Sequence, residues 1–183
     1  MDGGQIEPVP PPAAQVTVSR LSWLRVSAYG SALLALLYVG VSAYWTLGGT
    51  ALPSTIGGPL EELARHPTAA AVALGAAVAA AELAGVGLSL ALVQGWGRRL
   101  PQRLLGWAAT AAASVLTIYG GLLVVVGGLA LLGVFGPPPS DPAALRWHVM
   151  VWDLWFLLGG LLLGTAVWQR RHLPPSQRAL IVR

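Results

Sequence analysis

The sequence predicts an all-α polytopic membrane protein, a four-transmembrane-helix bundle with both termini cytoplasmic. Three observations carry this. Of the 183 residues, 55 % are hydrophobic and only 10 % are charged, whereas a soluble domain carries about 25 % charged residues. Four apolar runs each meet the ~20 residues that a membrane helix needs. Most of the basic residues, all of them arginine, gather on alternate sides of those runs. The exclusive use of arginine is a mark of GC-rich coding and implies a high-GC bacterial source.

The N-terminal stretch MDGGQIEPVPPPAAQ is rich in Pro and Gly and lacks periodicity, so residues 1–20 read as a disordered tail. The first run covers 21–47. Its VSA at 41–43 resembles a signal-peptidase site, but a cleavable signal has an apolar core of only ~7–15 residues, so a retained span is expected. Further spans are expected at 69–95, 107–135 and 144–168. The connectors GGTALPSTIGGP, GRRLPQ and GPPPSDP supply helix-breaking chemistry. Ser140 or Asp141 suits the N-cap of the fourth span, with Pro142 in its first turn. Residues 174–183 form a basic C-terminal tail, and the bundle itself is placed at 21–173.

Charge orients the bundle. Arg20 and Arg25 flank span one, Arg98, Arg99 and Arg103 lie between spans two and three, and Arg170, Arg171, Arg178 and Arg183 follow span four. The other two loops set only Arg65 and Arg146 against Glu61, Glu62 and Asp141. The positive-inside rule then makes the termini and the middle loop cytoplasmic in a multi-pass plasma-membrane (inner-membrane) protein. Trp23, Trp96, Trp107 and Trp168 mark the same face as one aromatic belt. The net charge of +4 follows from this placement and gives no reason to expect a nucleic-acid partner. Without cysteine there is no disulfide and no thiolate chemistry. His66, His148 and His172 sit on separate segments, so neither a metal site nor a cofactor is expected. Small residues, such as Gly75, Ala79, Gly85 and Ser89, or the pairs Gly120–Gly121 and Gly127–Gly128, suit close helix approach within the bundle. The same glycine faces also suit a homo-oligomer.

Two acids stand at hydrocarbon depth. Glu82 is near the middle of span two, and Asp153 lies about seven residues, or ~10 Å, below the outer end of span four. An ionised acid there costs at least ~2.5 kcal/mol on insertion scales, so each either holds a proton or has a partner. Interhelical hydrogen bonds return only ~0.6 kcal/mol on average, which motivates a functional role for the pair. Helical periodicity puts Glu82 on the small-residue face of its span. It puts Arg146 on the face of Asp153, with His148, Trp152 and Trp155 adjoining. Tyr38, Tyr44 and Trp45 on span one, and Tyr119 on span three, converge on the same outer half. Trp45 and Trp147 also fit an outer aromatic belt, Arg146 a snorkelling anchor, and His148 a hydrogen-bonded structural residue.

At AYWTLGGT (43–50), IGGPLEELAR (56–65) and ALRWHVMVWDLWFLLGGLLLG (144–164) the chain resembles small actinobacterial four-span membrane proteins grouped as a domain of unknown function. The resemblance covers nearly everything but the first twenty and last ten residues, and implies fold and location but no reaction. In architecture alone, the bundle is similar to the sterol-isomerase and sigma-receptor type. PLEE at 59–62 is similar to the Pro-x-Glu-Glu of small carotenoid ring cyclases.

Two functions are therefore expected to compete. In the first, an aromatic and acidic pocket facing the outer leaflet binds a membrane lipid or another apolar or amphiphilic small molecule. Asp153 and Glu82 anchor it, and Tyr38, Tyr44, Trp45, Tyr119, Arg146, His148, Trp152 and Trp155 line it. A ligand amine would gain ~0.5–2 kcal/mol from the aromatic faces. In the second, Asp153 or Glu82 is the general acid of a protonation-initiated isoprenoid or sterol-like isomerase or cyclase. No acidic cluster that could hold magnesium and a diphosphate is present, so ionisation-initiated chemistry is not expected.

Overall fold

The computed structural model describes residues 12–65, 68–137 and 140–174, and among them all regular structure is helical. Six α-helices follow one another: α1 Pro12–Thr46, α2 Gly58–Arg65, α3 Ala69–Ala91, α4 Gln102–Leu131, α5 Pro142–Trp147 and α6 Asp153–His172. A π-helical turn, His148–Trp152, joins α5 to α6. Four helical stretches are long and apolar enough to cross a membrane: Arg20–Thr46, Ala69–Ala91, Gln102–Leu131 and the continuous Pro142–His172.

Local chemistry sets the boundaries. Pro12, with its preset φ, opens α1, so residues 12–20 are helical where the sequence leads one to expect an irregular tail. The rest of that tail, 1–11, and the C-terminal residues 175–183 lie outside the described residues, as does His66. Thr68 caps α3 by accepting from the Ala71 N–H at 3.1 Å. Asp141, rather than Ser140, caps α5 through the Ala144 N–H at 2.9 Å, with Pro142 behind it. Gln94 and Pro101 bracket a 3₁₀ turn, Gly95–Arg99, so α3 ends at Ala91 and α4 starts at Gln102. The second span is thus shorter, and the third begins earlier, than hydropathy alone suggests.

α1 packs against both α3 and α6, and α6 packs against α4, while α3 and α4 barely touch. The consequence is a bundle closed at one end and splayed at the other. Its core gathers Leu24 and Ala28 of α1, Ala91 to Val93 at the end of α3 and just beyond it, Leu105 and Ala109 of α4, and Leu163 and Ala166 of α6. All of these lie at the end that carries the arginine-rich connector. Ser31 and Ser89 pair across α1 and α3 at 3.2 Å just above it. At the opposite end, where α2 and the α1–α3 loop lie, α3 and α4 stand apart, while α1 still meets α3 at Gly75 and α6 at Trp152.

α4 approaches α6 closely enough to need glycine. A Cβ on Gly120 would stand 2.7 Å from the Asp153 carbonyl and against the Leu157 backbone nitrogen, and one on Gly160 2.6 Å from the Thr117 nitrogen. Gly120 and Gly127 are therefore used inside the chain, the latter against Val149, whereas Gly128 faces open space.

Candidate functional site

Between the diverging helices lies a half-open cavity of about 270 Å³. Tyr38, Ser42, Trp45 and Thr46 of α1 form one wall. Opposite them, α6 and its π turn contribute His148, Trp152, Asp153 and Phe156. Val72, Gly75 and Val78 of α3 supply a smooth apolar side, Tyr119 closes the α4 side, and Ile56 and Leu63 lie over the mouth. The aromatic rings brace one another: Tyr38 meets Trp152 and Phe156 with centroids 6.1 and 4.9 Å apart, and Trp45 meets Trp152 edge-on at 5.4 Å. Gly75 makes this closure feasible, since any Cβ there would run into the Thr46 hydroxyl.

The π turn answers why Asp153 stands at this depth. In an unbroken α-helix, residues five apart point about 140° away from each other. Here the Asp153 N–H bonds to the His148 carbonyl, an i→i+5 closure, and it brings the two side chains together. His148 Nδ1 lies 3.5 Å from Asp153 Oδ1, and its Nε2 lies 2.8 Å from the Ile56 carbonyl. A carbonyl only accepts, so Nε2 carries a proton and donates. Nδ1 then faces a carboxyl oxygen, so the imidazole is the polar side chain that the structure sets against the Asp153 carboxyl. A buried Asp153 (4 % exposed) is tolerable on these terms.

Glu82 has a different partner. Its Oε1 accepts from the Ser42 hydroxyl at 2.8 Å, across the α1–α3 contact. The face carrying Gly75, Ala79, Glu82, Gly85 and Ser89 is the more buried side of α3, turned towards α1. Glu82 Oε2 and Trp152 Nε1 are both sealed from solvent and have no hydrogen-bond partner among the described residues. The two acids have separate partners, Ser42 for Glu82 and His148 for Asp153. Glu82 is thus one turn beyond the cavity wall, linked to it through Ser42 and Val78.

Several expected lining residues fall elsewhere. Trp155 donates from Nε1 to the Leu34 carbonyl at 3.0 Å and stacks behind Trp152, fastening α6 to α1. Tyr44 folds over Gly49, and its hydroxyl accepts from the Ala51 N–H at 3.0 Å, so it shapes the loop. Trp45, also a wall, bonds the Ala51 carbonyl at 2.9 Å. Arg146 is exposed and outside the cavity lining. The extra residue of the π turn rotates it away from the Asp153 face on which unbroken periodicity puts it. Conversely, the site includes Ser42, Thr46, Phe156 and the α3 wall. The spacing of Tyr38, Ser42 and Trp45 along one face of α1 could have pointed to Ser42; nothing in α3's run of Ala, Val and Gly marks a wall.

Fold and site together define a class: an all-helical chain with four membrane-length helices and an aromatic cavity at the splayed end of the bundle. The chain belongs to the family described as protein of unknown function (DUF3995), whose sequence profile matches residues 35–163. That match takes in every wall of the cavity. No curated protein and no solved structure is significantly similar to it.

Proposed function

We propose that the protein is a multi-pass plasma-membrane protein, its termini and arginine-rich connector cytoplasmic, whose cavity binds an apolar or amphiphilic small molecule from the outer leaflet. The observation that carries this reading is a cavity of about 270 Å³ with aromatic walls and the His148–Asp153 pair in its lining. An engineered cavity of ~150 Å³ takes up benzene, so about 270 Å³ suits a guest portion on the order of ten heavy atoms. A whole sterol nucleus is too large, whereas the head of a longer molecule fits, with its tail leaving through the gap between α3 and α4. The partnerless Trp152 Nε1 and Glu82 Oε2 are buried polar atoms of the kind that a guest or a bound water satisfies.

The test is mass spectrometry of small molecules extracted from purified protein, wild type beside Val78→Trp, which fills the cavity from the α3 side. A co-purifying molecule that the variant loses supports the reading, as does weakened retention in Asp153→Asn. Equal retention by all three overturns it.

A second reading rests on Asp153 in the cavity lining. Asp153 reaches the cavity and could protonate one alkene carbon of an isoprenoid, while a neighbouring C–H returns a proton to the couple and the aromatic walls shelter the cation. Glu82 is less suited, being bonded to Ser42 beside the cavity. Incubation with polyprenyl alkenes in deuterated water decides it: deuterium in recovered alkene supports an isomerase, and its absence across the panel excludes one.

A further inference from the structure

The wall chemistry of the cavity between α1, α3 and α6 narrows the kind of head group that it accepts. Five aromatic side chains border it and form a chain in which each meets the next: Trp45 with Trp152, Trp152 with Tyr38, Tyr38 with Phe156, and Phe156 with Tyr119. Successive centroids are between 4.9 and 6.1 Å apart, and successive planes cross at 54° to 86°. The wall therefore curves instead of lying flat. Ring faces carry negative charge density and attract a cation centred within about 6 Å.

The polar groups of the lining favour the same sign of guest. Most of its side-chain donors are spent on the protein itself. The Ser42 hydroxyl donates to Glu82, the Thr46 hydroxyl to the Ser42 carbonyl, Trp45 Nε1 to the Ala51 carbonyl and His148 Nε2 to the Ile56 carbonyl. Among the described lining residues this leaves Trp152 Nε1, sealed from solvent, and the Tyr38 and Tyr119 hydroxyls, which accept as well as donate. No arginine or lysine is among them, and the lining acid is Asp153, only 4 % exposed. His148 meets one of its oxygens, Oδ1, at 3.5 Å, beyond the ~2.7–2.9 Å of a charge-assisted N–H···O bond. Ring faces and a carboxyl group without a fixed cation offer little to a phosphate, sulfate or carboxylate head. They suit a positive one.

We propose that the guest is an amphiphile with an ammonium head, held by the five-ring wall and Asp153, with its chain leaving between α3 and α4. This rests on the reading of the cavity as a binding site and adds the charge of what it binds. The experiment measures binding of tritiated decyltrimethylammonium to the full chain in dodecylmaltoside micelles, with empty micelles subtracted. Saturable binding is expected for the wild type and its loss for Val78→Trp. Asp153→Asn should weaken it about tenfold, the scale of one charge pair in a partly dry site. Tyr119→Leu, at a position 51 % exposed, should weaken it about two- to fivefold, the worth of one exposed cation–π contact. Unlabelled decanol and decyl sulfate, with the same chain on a neutral and an anionic head, should each compete about tenfold less well than unlabelled decyltrimethylammonium. Dihexanoylphosphatidylcholine separates the sources: strong competition supports a choline lipid as the ammonium donor, and weak competition a free long-chain amine. Equal competition by decanol, or full affinity in both Asp153→Asn and Tyr119→Leu, overturns the cationic head and leaves the cavity a binding site. Equal uptake of the labelled ammonium by wild type and Val78→Trp also overturns the proposal. If labelled decanol behaves the same way, the binding-site reading falls with it.

Discussion

His148 spends both ring nitrogens on holding two segments together: one bonds the loop carbonyl of Ile56, and the other meets Asp153. Removing the ring strands a carboxyl group that is only 4 % exposed. Breaking one side of a buried ion pair costs ~3–5 kcal/mol, and because His148 is itself about a third exposed (32 %), about 2 kcal/mol is expected for His148→Ala. Asp153→Asn keeps an acceptor and gains a donor, so it should cost less, about 1 kcal/mol. The double variant should be no worse than His148→Ala alone, since the stranded acid is gone. Unfolding titrations in micelles check this cycle; strictly additive losses would sink the His148–Asp153 pairing. The sequence shows both residues but not their pairing, because five residues is no helical contact distance unless a π turn intervenes, and HVMVWDLWF contains no Gly or Pro to announce one. Arg146 and Tyr44 are misplaced for related reasons. The first is turned aside by that same added residue, and the second is drawn into a loop whose path depends on Gly48 and Gly49.

Helices in lipid gain little from burying leucine, since acyl chains are equally apolar, so close approach and packing decide which faces meet. α4 illustrates this within one element. Gly120→Ala would drive a methyl group into the backbone of α6 at Asp153 and Leu157, and backbone cannot step aside as a side-chain tip can. A loss of about 1–3 kcal/mol is expected, together with a widened cavity. Gly128→Ala meets nothing within 4 Å and should gain ~0.5–1 kcal/mol from better helix propensity. Thermal melts of the two variants in the same detergent check the contrast. If Gly128→Ala is instead destabilising or changes the oligomeric state, that glycine serves a contact between copies. This division between two similar glycine pairs is not legible in sequence, which shows the small residues but not which helix they face. For α3 the sequence says more: five small or acidic residues at three- and four-residue spacing mark one stripe, and that stripe is the side turned to α1.

The molecule as a whole is closely packed at one end and open at the other. Leu163 is 2 % exposed within the closed end, while Val78 borders the cavity and is 42 % exposed. In a membrane the transfer part of a Leu→Ala loss largely vanishes and the void remains, so Leu163→Ala should cost about 1–3 kcal/mol, the cavity share of the ~2–5 seen in water. Val78→Ala should cost nearly nothing. The charges follow the same axis: the described carboxylates, Glu61, Glu62, Glu82, Asp141 and Asp153, all belong to the half with the cavity, and seven described arginines lie at the other. The expected orientation rests on that asymmetry, which the sequence shows, whereas the gap between α3 and α4 is not legible there, because it depends on two helices failing to meet. It also ties function to side. If the arginine end is cytoplasmic, the cavity opens to the outer leaflet and its guest comes from outside or from that leaflet. The chain has no cysteine of its own, so single cysteines report cleanly. Thr50→Cys, exposed in the α1–α3 loop, should react with a membrane-impermeant maleimide on intact cells, and Arg99→Cys, exposed in the arginine-rich connector, only after permeabilisation. The reverse pattern would turn the cavity towards the cytoplasm, put the arginines against the outer leaflet, and require a cytosolic source for the guest.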